Sequence, residues 1–154
     1  MNLPEILNPK AIKVTGAHSS KKRLLMVLGD MAEEAYTLPS NLVIDALLER
    51  ESLGPTGVGH GVALPHARID GLQGVVGAFV RLDKAIDFGS VDRQPVDLIF
   101  CLLASQKAGV DHLKALATVS RTMRDPAVCA KLRANSDPAI LHAILTETPT
   151  SEAA

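Results

Sequence analysis

Gly57-Val58-Gly59-His60-Gly61-Val62-Ala63-Leu64-Pro65-His66 is the stretch of this sequence with the most chemistry in it. Glycines at alternate positions permit tight turns and close backbone approaches that a Cβ would forbid. Val62, Ala63 and Leu64 read as a short buried strand. Pro65 fixes its own φ, lacks an amide donor and drives Leu64 into an extended conformation. The strand is therefore expected to end at Pro65, with His66 emerging beyond it, where open α/β sheets place their ligand crevices. An imidazole held there by rigid neighbours suits a nucleophile; a hydrogen-bonded structural histidine is the plainer alternative.

Other chemistries fit the glycines less well. A P-loop needs Gly-Lys-Ser/Thr, which is missing, and a dinucleotide fingerprint needs glycine where Val62 stands. No acidic cluster suits Mg²⁺, and no Gly-x-Ser-x-Gly elbow offers a serine nucleophile. Histidines remain. His60, His66 and His112 could together hold Zn²⁺, although their spacing matches no familiar zinc pattern. His18, His60 and His142 read as surface or hydrogen-bonded structural residues.

The elements that must position these residues follow from periodicity. Residues 1–10 read as a lead-in and 11–15 as a short strand. Ser19 or Ser20 caps a helix whose apolar stripe is Leu24, Leu25, Val27, Leu28, Met31, Ala32 and Ala35. Pro39-Ser40-Asn41 opens a second helix carrying Val43, Ile44, Leu47 and Leu48, with Glu49-Arg50-Glu51 in its last turn and an end near Gly54. Residues 75–82 form a strand; 96–103, nearly all apolar, suit a central strand covered on both faces. Asp111 is expected to cap a helix that begins with His112. Asp125-Pro126 and Asp137-Pro138 each set an N-cap acceptor before a first-turn proline, announcing two short helices. The tail from Thr146 is expected to fray. This order predicts an α/β three-layer sandwich, a mixed sheet with helices on both faces.

Composition narrows the partners. At 154 residues the chain suits one domain, whose core of Ile, Val, Leu and Ala has no Trp, one Tyr and three Phe. Lys plus Arg (16) nearly balance Asp plus Glu (17), so no charge excess points to nucleic acid or a membrane surface. No apolar run approaches the ~20 residues of a membrane span, and the amino end, without a basic region followed by an apolar stretch, does not read as a signal peptide. Cys101 and Cys129, without CxxC spacing, read as reduced core thiols, which places the protein in the cytoplasm.

Arg50-Glu51, Thr56-Gly57-Val58-Gly59, Gly61-Val62-Ala63-Leu64-Pro65-His66-Ala67-Arg68, Ile86, Phe88, Asp92, Gln94-Pro95-Val96-Asp97-Leu98-Ile99-Phe100 and His112-Leu113 together resemble the fructose/mannitol-type (type 2) EIIA domain of the phosphoenolpyruvate-dependent phosphotransferase system. The resemblance spans residues 5–148, leaving 1–4 and 149–154 as tails. Standing alone, the domain is most similar to the nitrogen-regulatory branch. The resemblance implies that His66 accepts a phosphoryl group on Nε2 from a histidine-phosphorylated, HPr-like carrier protein, giving tele-phosphohistidine. It implies that His112 faces His66 and that Arg50 lies near the phosphoryl oxygens, with no metal or cofactor. The alternative reading of Arg50 is a helix-end arginine paired with the neighbouring glutamate. Arg68 reads equally well as a phosphate contact, a docking residue or a solvated arginine, and His60 receives no role. Regulatory target proteins would be the further partners. A binding module acting mainly unphosphorylated, and a metal-dependent histidine-cluster enzyme, are the competing functions.

Overall fold

The structure, a computed structural model, describes residues 2–16 and 20–147. His18 and Ser19, one of the two candidate caps, lie outside the described residues, as do 148–154 of the expected tail. The chain starts with a one-turn helix, α1 (Leu3–Ile6), followed by strand β1 (Leu7–Thr15). The lead-in is thus structured, contrary to expectation. Glu5 accepts from the Asn2 amide, proline occupies the first turn, and Leu3 and Ile6 are buried. Helix α2 (Lys21–Tyr36) is capped by the Ser20 hydroxyl, which accepts from the Arg23 amide, and buries Leu24, Leu25, Leu28, Met31 and Ala32 of its predicted stripe. Helix α3 (Ser40–Ser52) follows the Pro39 turn and buries Val43 and Leu47.

Next come three short strands, β2 (Gly57–Gly59), β3 (Val62–Ala63) and β4 (His66–Ile69), and two long ones, β5 (Val75–Ile86) and β6 (Val96–Ser105). Helices α4 (Gly109–Met123), α5 (Pro126–Ala134) and α6 (Pro138–Thr146) complete the order. Asp125 and Asp137 cap α5 and α6 by accepting from Ala127 and Ala139 amides, as their Asp-Pro signals predict. Thr146, expected to fray, is the last residue of α6, and its hydroxyl donates to the His142 carbonyl.

The sheet runs β1-β5-β6-β3-β2, with β4 continuing along β6 beyond β3. β1 lies parallel to β5, β5 antiparallel to β6, and β3 and β4 both parallel to β6. Burial of every β6 residue from Leu98 to Ala104 fits its central position. Helices α2 and α3 pack together on one side of the sheet, and α1, α4, α5 and α6 form a second packed group. The result is the expected mixed sheet with helices on both faces.

Two local expectations need correction. Pairing does not end at Pro65: the Pro65 carbonyl still accepts from the Leu102 amide, and the strand resumes at His66, opposite Leu102. Proline removes a donor but keeps an acceptor, so it interrupts the ladder without terminating it. Asp111 does not cap α4 either. That helix starts at Gly109, so Asp111 and His112 fall inside its first turn, and the His112 amide donates to the Ala108 carbonyl.

Candidate active site at His66

The glycine run is a two-residue hairpin. Gly57 pairs with Ala63 and Gly59 with Val62, while His60 and Gly61 turn the chain with φ of 57° and 79°. Positive φ at both central residues is what a type I′ connection requires, and histidine is among the side chains that tolerate it. His60 is exposed; its amide donates to Asp92, and its carbonyl accepts from Arg133. Arg133 also clamps Asp97 through three contacts of 2.9–3.2 Å, tying α5 to the hairpin. His60 therefore serves the turn. At Gly57 the constraint is space: a Cβ would lie 2.0 Å from Ser90 Oγ.

Beyond the hairpin, β4 alternates. Ala67 and Ile69 are buried, whereas His66 is half-buried and Arg68 exposed on the opposite face. His66 Nδ1 lies 2.9 Å from the Leu64 carbonyl oxygen. A carbonyl can only accept, so Nδ1 carries the proton and the neutral ring keeps its lone pair on Nε2. The His112 ring stands edge-on to that of His66, with centroids 5.8 Å apart and planes inclined by 65°. His112 is buried, and its Nε2 has no hydrogen-bond partner among the described residues. Burial pushes its pKa below the ordinary histidine value, helped by the nearby His66 and Arg68. The Arg68 guanidinium donates to the Gln106 carbonyl at 3.2 Å and reaches that of Ser105 at 3.5 Å. This anchors Arg68 over the end of β6.

Arg50 sits in the last turn of α3, where Nη1 donates to the Gly54 carbonyl at 2.9 Å. It has the helix-end position of the plainer reading, but its glutamate neighbour is engaged elsewhere. Glu51 accepts from Lys21 Nζ at 3.0 Å, from the Thr56 amide at 2.9 Å and from the Thr56 hydroxyl at 2.6 Å. Of the predicted histidines, the fold brings His66 and His112 together and spends His60 on the turn. His142 Nε2 meets the Leu7 carbonyl on the far side of the chain order. Among the described residues no three His, Cys, Asp or Glu side chains are grouped to hold a metal ion. Both cysteines are buried, and burial pushes the Cys101 thiol up to about 12. The sequence reading misses Arg133 and Ser90 and gives Asp92 no role beyond the resemblance, because nothing local marks their long-range contacts with the hairpin.

Two histidine rings thus stand together beside strand β4 of a mixed α/β sandwich, and similarity to known proteins places this chain within a family. Residues 5–148 match the family described as the phosphoenolpyruvate-dependent sugar phosphotransferase system, EIIA 2, and the chain belongs to it. It is 43% identical over 153 residues to a nitrogen regulatory protein of Bradyrhizobium diazoefficiens, covering 99% of this chain and 100% of that one. A nitrogen regulatory protein of Escherichia coli is 37% identical over 150 residues, covering 96% and 91% of the two chains. The crystal structure of nitrogen regulatory protein IIA-Ntr from Neisseria meningitidis superposes with a TM-score of 0.86 at 36% identity, covering 92% of this chain and 97% of that one. Among the described residues no helix is long and apolar enough to cross a membrane.

Proposed function

We propose that this chain is a cytoplasmic phosphocarrier of a regulatory, nitrogen-type phosphotransferase system, accepting a phosphoryl group on His66 Nε2 from a histidine-phosphorylated, HPr-like carrier. The observation that carries this reading is the 2.9 Å contact between His66 Nδ1 and the Leu64 carbonyl, which leaves Nε2 as the free lone pair. As the donor's N–P bond breaks, its imidazole leaves neutral and a new N–P bond forms at Nε2. The His66 ring becomes more positive, keeps its Nδ1 proton, and is stabilised by the Leu64 carbonyl. Loose phosphoryl transfer asks the protein for in-line positioning and charge stabilisation. His112 Nε2, buried beside His66 and without a hydrogen-bond partner among the described residues, is suited to donate to a phosphoryl oxygen. Arg50 is the proposed guanidinium for those oxygens, although its contact in the structure is with Gly54.

The names of the relatives support regulation as the purpose, and exposed Val110 and Leu113, flanking His112 on α4, supply apolar surface beside the phosphorylation site for carrier and targets. A target docked there would respond to the charge that phosphorylation adds. The test is incubation with phosphorylated carrier followed by intact-mass measurement. Wild type should gain one acid-labile, base-stable phosphoryl group, and His66→Ala none while remaining folded. Equal labelling of the alanine variant would move the acceptor elsewhere.

A further inference from the structure

Between β3 and β4 the ladder with β6 lapses, because Pro65 offers no amide donor. Leu64 lies in that gap, and its carbonyl is the group that orients the His66 ring. Something other than β6 must therefore hold Leu64. Its amide donates to the Thr56 carbonyl at 3.0 Å, and Thr56 is itself fastened to Glu51 through its amide and its hydroxyl. Thr56 is 5% exposed and the Glu51 side chain 6%, so these bonds are shielded from water, where they are at their strongest. Lys21 Nζ holds the Glu51 carboxylate from the side and sits 5.1 Å from the centre of the Phe88 ring.

From this chain of contacts we infer that Glu51 is a positioning residue for His66. Through Thr56 and Leu64 it sets the ring's orientation and keeps the proton on Nδ1. The inference rests on the reading of His66 as the phosphoryl acceptor. Its structural half, the choice of tautomer, stands apart from that reading. Without the carboxylate, Thr56 loses two of its bonds and the Leu64 peptide is free to rotate away from the ring. The imidazole would then sample both tautomers and miss the in-line angle.

The test pairs ¹⁵N NMR of the His66 ring with single-turnover phosphorylation by phosphorylated carrier, using Glu51→Ala, Glu51→Gln, Thr56→Val and Thr56→Ser. Wild type should show a protonated Nδ1 and an unprotonated Nε2. Glu51→Ala and Thr56→Val should show mixed tautomers and accept phosphate at least about tenfold more slowly, since misplacement of about 1 Å can cost as much as 10²-fold. Glu51→Gln keeps one oxygen acceptor and should fall between, while Thr56→Ser keeps both donors and should match wild type. Thermal unfolding, measured alongside, separates positioning from stability. A purely structural Glu51 would lower the Tm yet leave tautomer and rate unchanged in the folded variants, and that outcome overturns the inference. If Glu51→Ala does not fold, Glu51→Gln and Thr56→Val decide on the same readouts. A wild type that takes no phosphate would refute the phosphocarrier reading instead, and the ring spectra would still decide whether Glu51 positions His66.

Discussion

His112 illustrates how burial tunes a single residue for its neighbour. Its lowered pKa keeps the imidazole neutral near pH 7, so a proton can be offered to an anion without placing a second cation beside His66. The linkage has a definite sign. The folded state favours neutral His112, so the stability this contributes is present above the ordinary value of about 6.5 and is lost as pH falls from there through the depressed folded value. Urea unfolding of wild type should weaken across that window, and His112→Gln should show a flatter pH dependence there. In transfer assays His112→Ala should still be labelled on His66 but pass the group onward up to roughly 10²-fold more slowly, with His112→Gln recovering part of the loss. Wild-type onward rates in His112→Ala would remove it from the mechanism. Arg50→Lys keeps the charge and loses the planar fork that can bridge two oxygens, so slower transfer in both directions is expected. Unchanged rates would confine Arg50 to its bond with Gly54.

At the scale of elements, the hairpin of β2 and β3 is held from outside at three points. Arg133 grips its tip, Asp92 accepts from its turn, and the loop residue Ser90 fills the space beneath Gly57. Gly57→Ala would drive a methyl into Ser90 Oγ at 2.0 Å and against the Ser90 Cα at 3.1 Å. Overpacking of this kind costs about 1–3 kcal/mol. Thermal denaturation should show that loss, and Ser90→Gly in the same chain should restore part of it. Full stability of Gly57→Ala alone would mean that the loop yields freely. The same element explains why Pro65 is tolerated: the strand needs only its carbonyl for β6, while Thr56 takes over the Leu64 amide.

For the whole molecule, β6 is the structural axis. It joins β5 on one side to β3 and β4 on the other, and α4 packs against it as well as following it in sequence. The two histidines therefore meet because one lies on a strand paired with β6 and the other on the helix that leaves its end. Leu98→Ala, fully buried in β6, should lower stability by about 2–5 kcal/mol in denaturant unfolding. In the folded fraction His66 labelling should persist, since Leu98 pairs with Val62 at the far end of the β3–β4 segment. A variant that stays stable would contradict the central role of β6.

The fold class was legible in the sequence because apolar periodicity and caps act locally. The stripe of α2, the apolar run of β6 and the two Asp-Pro starts each declare their element without reference to the rest of the chain. His66 stands out as a candidate for the same local reasons, through the proline before it and the glycines upstream. What escaped local reading depended on partners distant in sequence. Whether Pro65 ended a strand was settled by the Leu102 amide, and whether residues 3–6 were a lead-in was settled by a core able to bury Leu3 and Ile6. The tautomer of His66, the exclusion of water from His112 and the tether from Glu51 through Thr56 and Leu64 are likewise tertiary decisions. Each depends on a distance of a few ångströms between side chains and peptides that only packing brings together, and sequence spacing carries no measure of that distance.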